Sequence, residues 1–161
     1  MKKLALIALI ALTASCAEDD EQESALNMLA TGKWNLSGVI INLSDSVGNS
    51  NVLNIFDLPE CPECLKDDQI EIFSSGHYQI TLGEKLCDNN VQIFRFKHEG
   101  MWRFNQNEDE IILNPGQPDS TQMDITELTE SMLQLTFYDT IPQLLIPNDT
   151  TPHNITIQYQ H

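Results

Sequence analysis

The chain has 161 residues, and its 24 acidic residues outnumber its 8 basic ones, which gives a formal net charge of −16. A surface this acidic repels the phosphates of nucleic acid and of anionic lipid, so the composition argues against both as partners. The length corresponds to one domain with a sizeable hydrophobic core.

Residues 1–15 have the organisation of a secretory signal peptide. Lys2 and Lys3 follow Met1, the apolar stretch 4–12 is too short to span a bilayer, and small residues lead directly into Cys16. A cysteine in this place predicts a lipoprotein signal, in which Cys16 is acylated and becomes the first residue of the mature protein. The alternative is an ordinary secretory signal that leaves Cys16 as a plain thiol.

Residues 16–23 form an acidic tether, with Glu18, Asp19 and Asp20 close behind the cysteine. This run resembles the short acidic export signals that some Gram-negative bacteria place after a lipidated cysteine. We therefore expect attachment to the outer membrane through an N-terminal lipid anchor that carries palmitate or a similar acyl chain. The cell surface is the expected location, and the periplasmic face is the alternative.

Residues 24–161 are predicted to form a single β-rich domain. Ser24 is expected to cap a short amphipathic helix that runs to Ala30, and Thr31-Gly32 ends this helix. Short segments of alternating apolar and polar residues follow, separated by turn residues, which is typical of β-strands. The predicted strands are 34–43, 69–73, 77–82, 91–105, 110–114, 122–128, 132–138 and 154–160.

Eight strands joined mostly by tight turns predict an all-β fold, an antiparallel up-and-down barrel whose closure removes exposed sheet edges. Gly38 is expected to mark a bend, and Gly100 a bulge or a tight bend. Two longer connections interrupt the series. Residues 44–59 are expected to form a polar loop with an apolar patch, and residues 140–152 a loop with apolar residues between prolines.

Three cysteines remain after Cys16. Thiols of exported proteins usually form disulfides, and one of three thiols would not pair within the chain. We predict a disulfide between Cys64 and Cys87, worth roughly 3 kcal/mol of stability, with Cys61 as the alternative partner of Cys87. An oxidising compartment disfavours a zinc site that these cysteines would form with His77, and the absence of a βαβ pattern disfavours thioredoxin-type chemistry.

Two stretches resemble the lipocalin-like lipoproteins of Gram-negative bacteria. Gly32-Lys33-Trp34, behind a short helix, is similar to the Gly-x-Trp motif of lipocalins. The stretch from Cys64 to Cys87 is similar to the Cys-x-x-Asp-Asp…Phe…Gly-x-Tyr…Cys pattern of these domains, through Asp67-Asp68, Phe73 and Gly76-His77-Tyr78. The resemblance implies an eight-stranded barrel, often with a pocket for a small ligand, and it supplies no catalytic set.

The barrel interior is where a ligand would be expected. Most inward positions carry large side chains, which favours a filled barrel with any pocket restricted to its open end. Trp34 is expected to plug the end of the barrel beside the helix. The residues that we assign to ligand binding are Tyr78, Phe94, Phe96, His98, Trp102 and Phe137.

Catalysis is not expected, because the histidines lie on separate strands with no nucleophile in an evident triad. No cofactor or bound metal is expected either. The first functional hypothesis is a membrane-anchored module that binds a small hydrophobic or lipidic ligand at the barrel mouth. The alternative is a protein-interaction module with a filled barrel, which contacts another surface protein through the apolar segment 141–146.

Overall fold

A computed structural model of the chain describes residues 24–44, 50–57, 63–84, 96–140 and 151–161. These residues form one short helix, α1 (Ala25–Leu29), and two single turns of 3-10 helix, Ile55–Asp57 and Glu63–Leu65. The strands are β1 (Lys33–Ser44), β2 (Ser50–Asn54), β3 (Gln69–Ile72), β4 (His77–Thr81), β5 (Glu99–Phe104), β6 (Glu110–Leu113), β7 (Thr121–Leu128), β8 (Met132–Thr140) and β9 (Pro152–Gln160).

The strands form a closed antiparallel barrel. Each strand from β3 to β9 pairs with the next, and β1 pairs with both β3 and β9, which joins the two ends of the sheet. The predicted eight-stranded up-and-down barrel with a short N-terminal helix is therefore confirmed. We call the end of the barrel beside α1 the closed end, and the opposite end the open end.

Strand β2 was not expected from the sequence. It lies inside the stretch 44–59, where a polar loop was predicted, and it pairs with Ile40–Ser44 of β1. Its serine and asparagines have low strand propensity, so the local pattern does not mark a strand. The second half of β1 extends past the residues that pair with β3. Its backbone N–H and C=O groups on that edge pair with β2 instead.

The two glycines singled out in the sequence have different roles. The register of β1 against β9 shifts between Leu36 and Gly38, so the predicted bend at Gly38 is confirmed. The register of β4 against β5 runs through Gly100 without a shift, so no bulge occurs there, and the alternative of a tight bend stays a prediction. A side chain at Gly100 would collide with the Asn114 amide and would lie 2.8 Å from the ring of Tyr78.

The core consists of the inward-facing residues of the barrel together with Leu29 of α1. Trp34 is fully buried at the closed end, and its indole Nε1 donates a hydrogen bond to Leu29 O at 3.0 Å. The ring of His161 lies against the Trp34 ring, with 3.9 Å between their centroids. These contacts confirm that Trp34 plugs the closed end beside the helix.

Several predicted features lie outside the described residues. They are the signal and tether with Cys16, the residues Cys61, Cys87 and Phe94, and the segment 141–146; the side chain of Cys64 is also outside them. The disulfide and the lipid anchor therefore stay predictions. In the described ranges, no helix has both the length and the apolar character needed to cross a membrane.

Candidate functional site

The described residues among those assigned to ligand binding do not form one site. Tyr78, Trp102 and Phe137 are only 1%, 4% and 6% exposed, so they belong to the core. Phe96 is half-buried and packs against this core, whereas His98 is exposed. The sequence predicts one strand over 91–105, and its alternation would turn His98 inward with the aromatic residues. The described strand begins at Glu99, so the alternation does not extend back to residue 98.

The aromatic side chains fill the barrel from both ends. Phe96 packs edge-on against Phe137 toward the open end, with 5.5 Å between the ring centroids. Trp102 packs edge-on against Phe104 at 5.1 Å, and its Nε1 donates to Phe73 O in the β3–β4 turn. Such rings, packed against one another and against aliphatic side chains, stabilise a core rather than line a pocket.

Tyr78 belongs to a polar network that runs from the core to the surface. Its hydroxyl accepts a hydrogen bond from Asn114 Nδ2 at 3.1 Å, and the same amide nitrogen donates to Asp119 Oδ2 at 3.1 Å. Asp119 also forms an ion pair with Lys97 at 2.9 Å, and this contact lowers the pKa of Asp119. The network ties β4 to the turn after β6 and satisfies the buried amide of Asn114.

The pKa of the Tyr78 phenol lies above its usual range. Burial raises this pKa, and the hydrogen bond from Asn114 opposes the rise only in part. The phenol therefore stays protonated near neutral pH and does not serve as a base. The sequence did not single out Asn114, because it is a turn residue 36 positions away from Tyr78.

An open cleft lies at the open end, where β3 begins and β4 ends. Its volume is about 480 Å³, and none of the aromatic residues assigned to ligand binding lines it. The predicted ligand site at the barrel mouth stays a prediction, and Tyr78, Trp102 and Phe137 pack into the core instead of lining this cleft. The cleft is lined by Asp67, Gln69, Thr81, Leu82, Gly83 and Glu84.

The cleft is polar and negatively charged. Beside it, Asp68 Oδ1 accepts a hydrogen bond from the backbone N–H of Gly83 at 3.2 Å, which links the start of β3 to the residues after β4. Burial raises the pKa of Asp68; the Gly83 N–H opposes this rise, the charge of Asp67 adds to it, and His98 opposes it weakly. Leu82, which is 42% exposed, contributes an apolar surface.

The described residues offer no cluster of metal ligands. Across the five described ranges, no three His, Cys, Asp or Glu side chains come close enough together to hold a metal ion. Three of the four histidines lie in different parts of the barrel: His77 is exposed on β4, His98 precedes β5, and His153 is buried in β9.

Comparison of the chain with protein-family models and with curated proteins finds no match in either. The likeness to lipocalin-like lipoproteins therefore stays a prediction that rests on the motifs.

Proposed function

We propose that this protein is a non-catalytic binding protein, anchored to the outer membrane by lipid at Cys16, that holds a small ligand at the open end of a lipocalin-like barrel. One observation carries the proposal. The large side chains of the interior are packed against one another, with Tyr78 and Trp102 almost fully buried, while the cleft at the open end has a volume of about 480 Å³. A ligand would therefore bind at the mouth and not inside the barrel.

The cleft favours a particular ligand chemistry. The carboxylates of Asp67 and Glu84 accept hydrogen bonds and attract positive charge, and the side chains of Gln69 and Thr81 both donate and accept. Leu82 adds a small apolar contact. These groups suit a small amphiphile with a cationic or hydrogen-bond-donating head group. A long acyl chain would need the space that the core side chains occupy.

A bulky side chain in the cleft tests the proposal. Native mass spectrometry of the full-length protein, purified from its own membranes, should detect a bound small molecule. Thr81→Trp should remove this molecule, because the indole would occupy the cleft. Gln79→Trp is the matched control, since Gln79 is also exposed on β4, two residues from Thr81, and does not line the cleft. A wild-type protein without bound mass, or equal occupancy in both variants, would contradict the proposal.

The second candidate is a protein-interaction module with a filled barrel. Exposed apolar side chains near the β3–β4 turn favour it: Phe73 is 37% exposed and Met101 is 47% exposed. The two residues flank Gly76. The Gly76 N–H donates a hydrogen bond to Phe73 O, and a Cβ atom added at Gly76 would lie 3.7 Å from Met101 Cε. A protein whose mass changes only when a partner protein is added would support this candidate over the first.

A further inference from the structure

Among the described residues, β2 is the only strand of the sheet that has a single neighbour. β1 pairs with β2, β3 and β9, and each strand from β3 to β9 pairs with two others. The barrel is therefore closed without β2, which is added to β1 at the side of the ring. The second edge of β2 carries the backbone N–H and C=O groups that point away from β1, and no other described strand pairs with it.

This edge lacks the features that usually keep an exposed strand from pairing. Native edge strands are blunted by charged side chains, by proline or by a β-bulge. The five residues of β2, Ser50–Asn54, include no charged residue and no proline. Their register against Ile40–Ser44 of β1 runs without a shift, and that segment is also uncharged. The edge is therefore regular and open to a further strand.

Contacts of β2 with the barrel hold this edge in place. Leu53 packs against the hydrophobic core, and Ile55, which follows the strand, is fully buried. The side-chain oxygen of Asn54 accepts a hydrogen bond from Phe56 N at 3.1 Å, which fixes the turn out of the strand. Val52 points to the opposite face from Leu53 and is 64% exposed. An edge that is already ordered loses little conformational entropy when a strand is added to it.

The chemistry of the edge selects the class of its occupant. Backbone N–H and C=O groups that alternate at the spacing of a β-strand are complemented by another extended polypeptide. Sugars, nucleotides and lipids have no such repeat of donors and acceptors. The exposed Val52 adds an apolar contact for a side chain on the neighbouring strand. The occupant that fits is therefore an extended segment of protein that matches the five residues of β2.

Charge distinguishes a partner protein from a second copy of this chain. Each copy has a net charge of −16, so two copies repel each other. A pair of β2 strands would also bury far less than the roughly 800 Å² per partner of a stable protein interface. We propose that the free edge of β2 docks an extended, neutral or basic segment of another protein, which adds to the sheet as a further strand. No residue of β2 lines the cleft, so this docking does not depend on a ligand there.

Hydrogen exchange of the full-length protein in detergent tests this proposal. The probe is the synthetic peptide acetyl-Lys-Thr-Val-Thr-Val-Thr-Lys-amide, whose residues favour a strand. The control peptide has proline in place of the central threonine, so it keeps the charge but cannot complete the ladder. The probe should slow exchange of the edge amides of β2 about fivefold at a concentration of about four times Kd. The control peptide should not slow it, and β8, whose two edges are both paired, should exchange equally in every sample.

Two variants and a third peptide make the result specific. Val52→Pro removes an N–H from β2 and should abolish the protection, while β1 keeps the barrel closed through β3 and β9. Val52→Thr keeps the N–H and the branched side chain, so it should keep the protection. A probe with glutamate in place of both lysines should protect β2 less, because the acidic protein repels it.

Four results would overturn the proposal. The first is that neither peptide slows exchange of β2, or that the probe and the proline control slow it equally. The second is that Val52→Pro is protected like wild type, or that the glutamate probe protects as well as the lysine probe. The third is that the edge amides are already protected in the free protein, because another part of the chain then covers them. The fourth is protection that grows with protein concentration alone, because the occupant is then a second copy.

Discussion

At the scale of single residues, burial of polar groups determines which side chains are available for function. Tyr78 looked like a ligand contact in the sequence, but its hydroxyl is paired with Asn114 inside the protein. Gly100 has no side chain at the point where the Asn114 amide and the Tyr78 ring meet. The alternation of residues predicted that Tyr78 points inward, but it could not predict its partner, because the partner is distant in sequence.

The carboxyl group of Asp68 leads to a prediction of pH dependence. Its pKa in the folded protein is raised above the usual 3.8, first by burial. The folded state then binds this proton more tightly than the unfolded chain. The contribution to stability is fully present below pH 3.8 and is lost as the pH rises through the raised pKa.

Asp68→Asn should therefore be more stable than wild type at neutral pH, and the difference should shrink as the pH falls toward 3.8. The asparagine stays neutral and keeps an oxygen that accepts from the Gly83 N–H. We expect a gain below about 1 kcal/mol, because the side chain is partly exposed to solvent. Urea unfolding over a pH series measures it. Asp124→Asn, an exposed residue of β7, controls for the loss of one negative charge. A less stable Asp68→Asn at neutral pH would refute the argument.

At the scale of secondary-structure elements, α1 illustrates what local sequence can and cannot specify. The predicted cap is present, since Ser24 Oγ accepts a hydrogen bond from Asn27 N at 3.3 Å. A helix of five residues is too short to be stable alone, so its contacts must hold it. Besides Trp34, these contacts come from His161, whose Nδ1 lies 3.1 Å from Lys33 O and whose Nε2 lies 2.7 Å from Thr31 Oγ.

His161→Ala should release α1 without unfolding the barrel. The variant loses the ring contact with Trp34 and both side-chain hydrogen bonds, so the amides of α1 should exchange with solvent much faster. Global stability should fall by only about 1 kcal/mol, because the ring is exposed and the strands are unchanged. Hydrogen exchange read by mass spectrometry distinguishes the two effects. His77→Ala, an exposed histidine on β4, is the control. Unchanged protection of α1 in His161→Ala would show that the buried Leu29 and the Trp34 hydrogen bond hold the helix without His161.

At the scale of the whole molecule, closure of the sheet and the acidic surface act together. Pairing of β1 with β9 leaves no open edge between the first and last barrel strands. The strong negative charge keeps such molecules apart in solution and from anionic surfaces. A barrel with this surface charge needs an additional attachment to stay at a membrane. We propose that the acyl chains on Cys16 provide this attachment.

Cys16→Ser tests this anchor on the full chain. The variant cannot be acylated, so the protein should move from the membrane fraction to the soluble fraction and should lose incorporation of labelled palmitate. Cys61→Ser is the matched control and should remain in the membrane fraction. Retention of Cys16→Ser in the membrane fraction would mean that another segment or a partner holds the protein there.

The sequence by itself determined the helix cap, the order of the barrel strands and the burial of Trp34 at the closed end. These features depend on near neighbours along the chain, namely on alternation with a period of two, turn residues and a capping side chain.

Only the tertiary structure decided that Tyr78, Trp102 and Phe137 belong to the core, that β2 joins the sheet, and that the cleft lies between Asp67 and Glu84. The reason is physical: side-chain volumes and strand register bring together residues that are far apart in the chain, and no local pattern records which of them will meet.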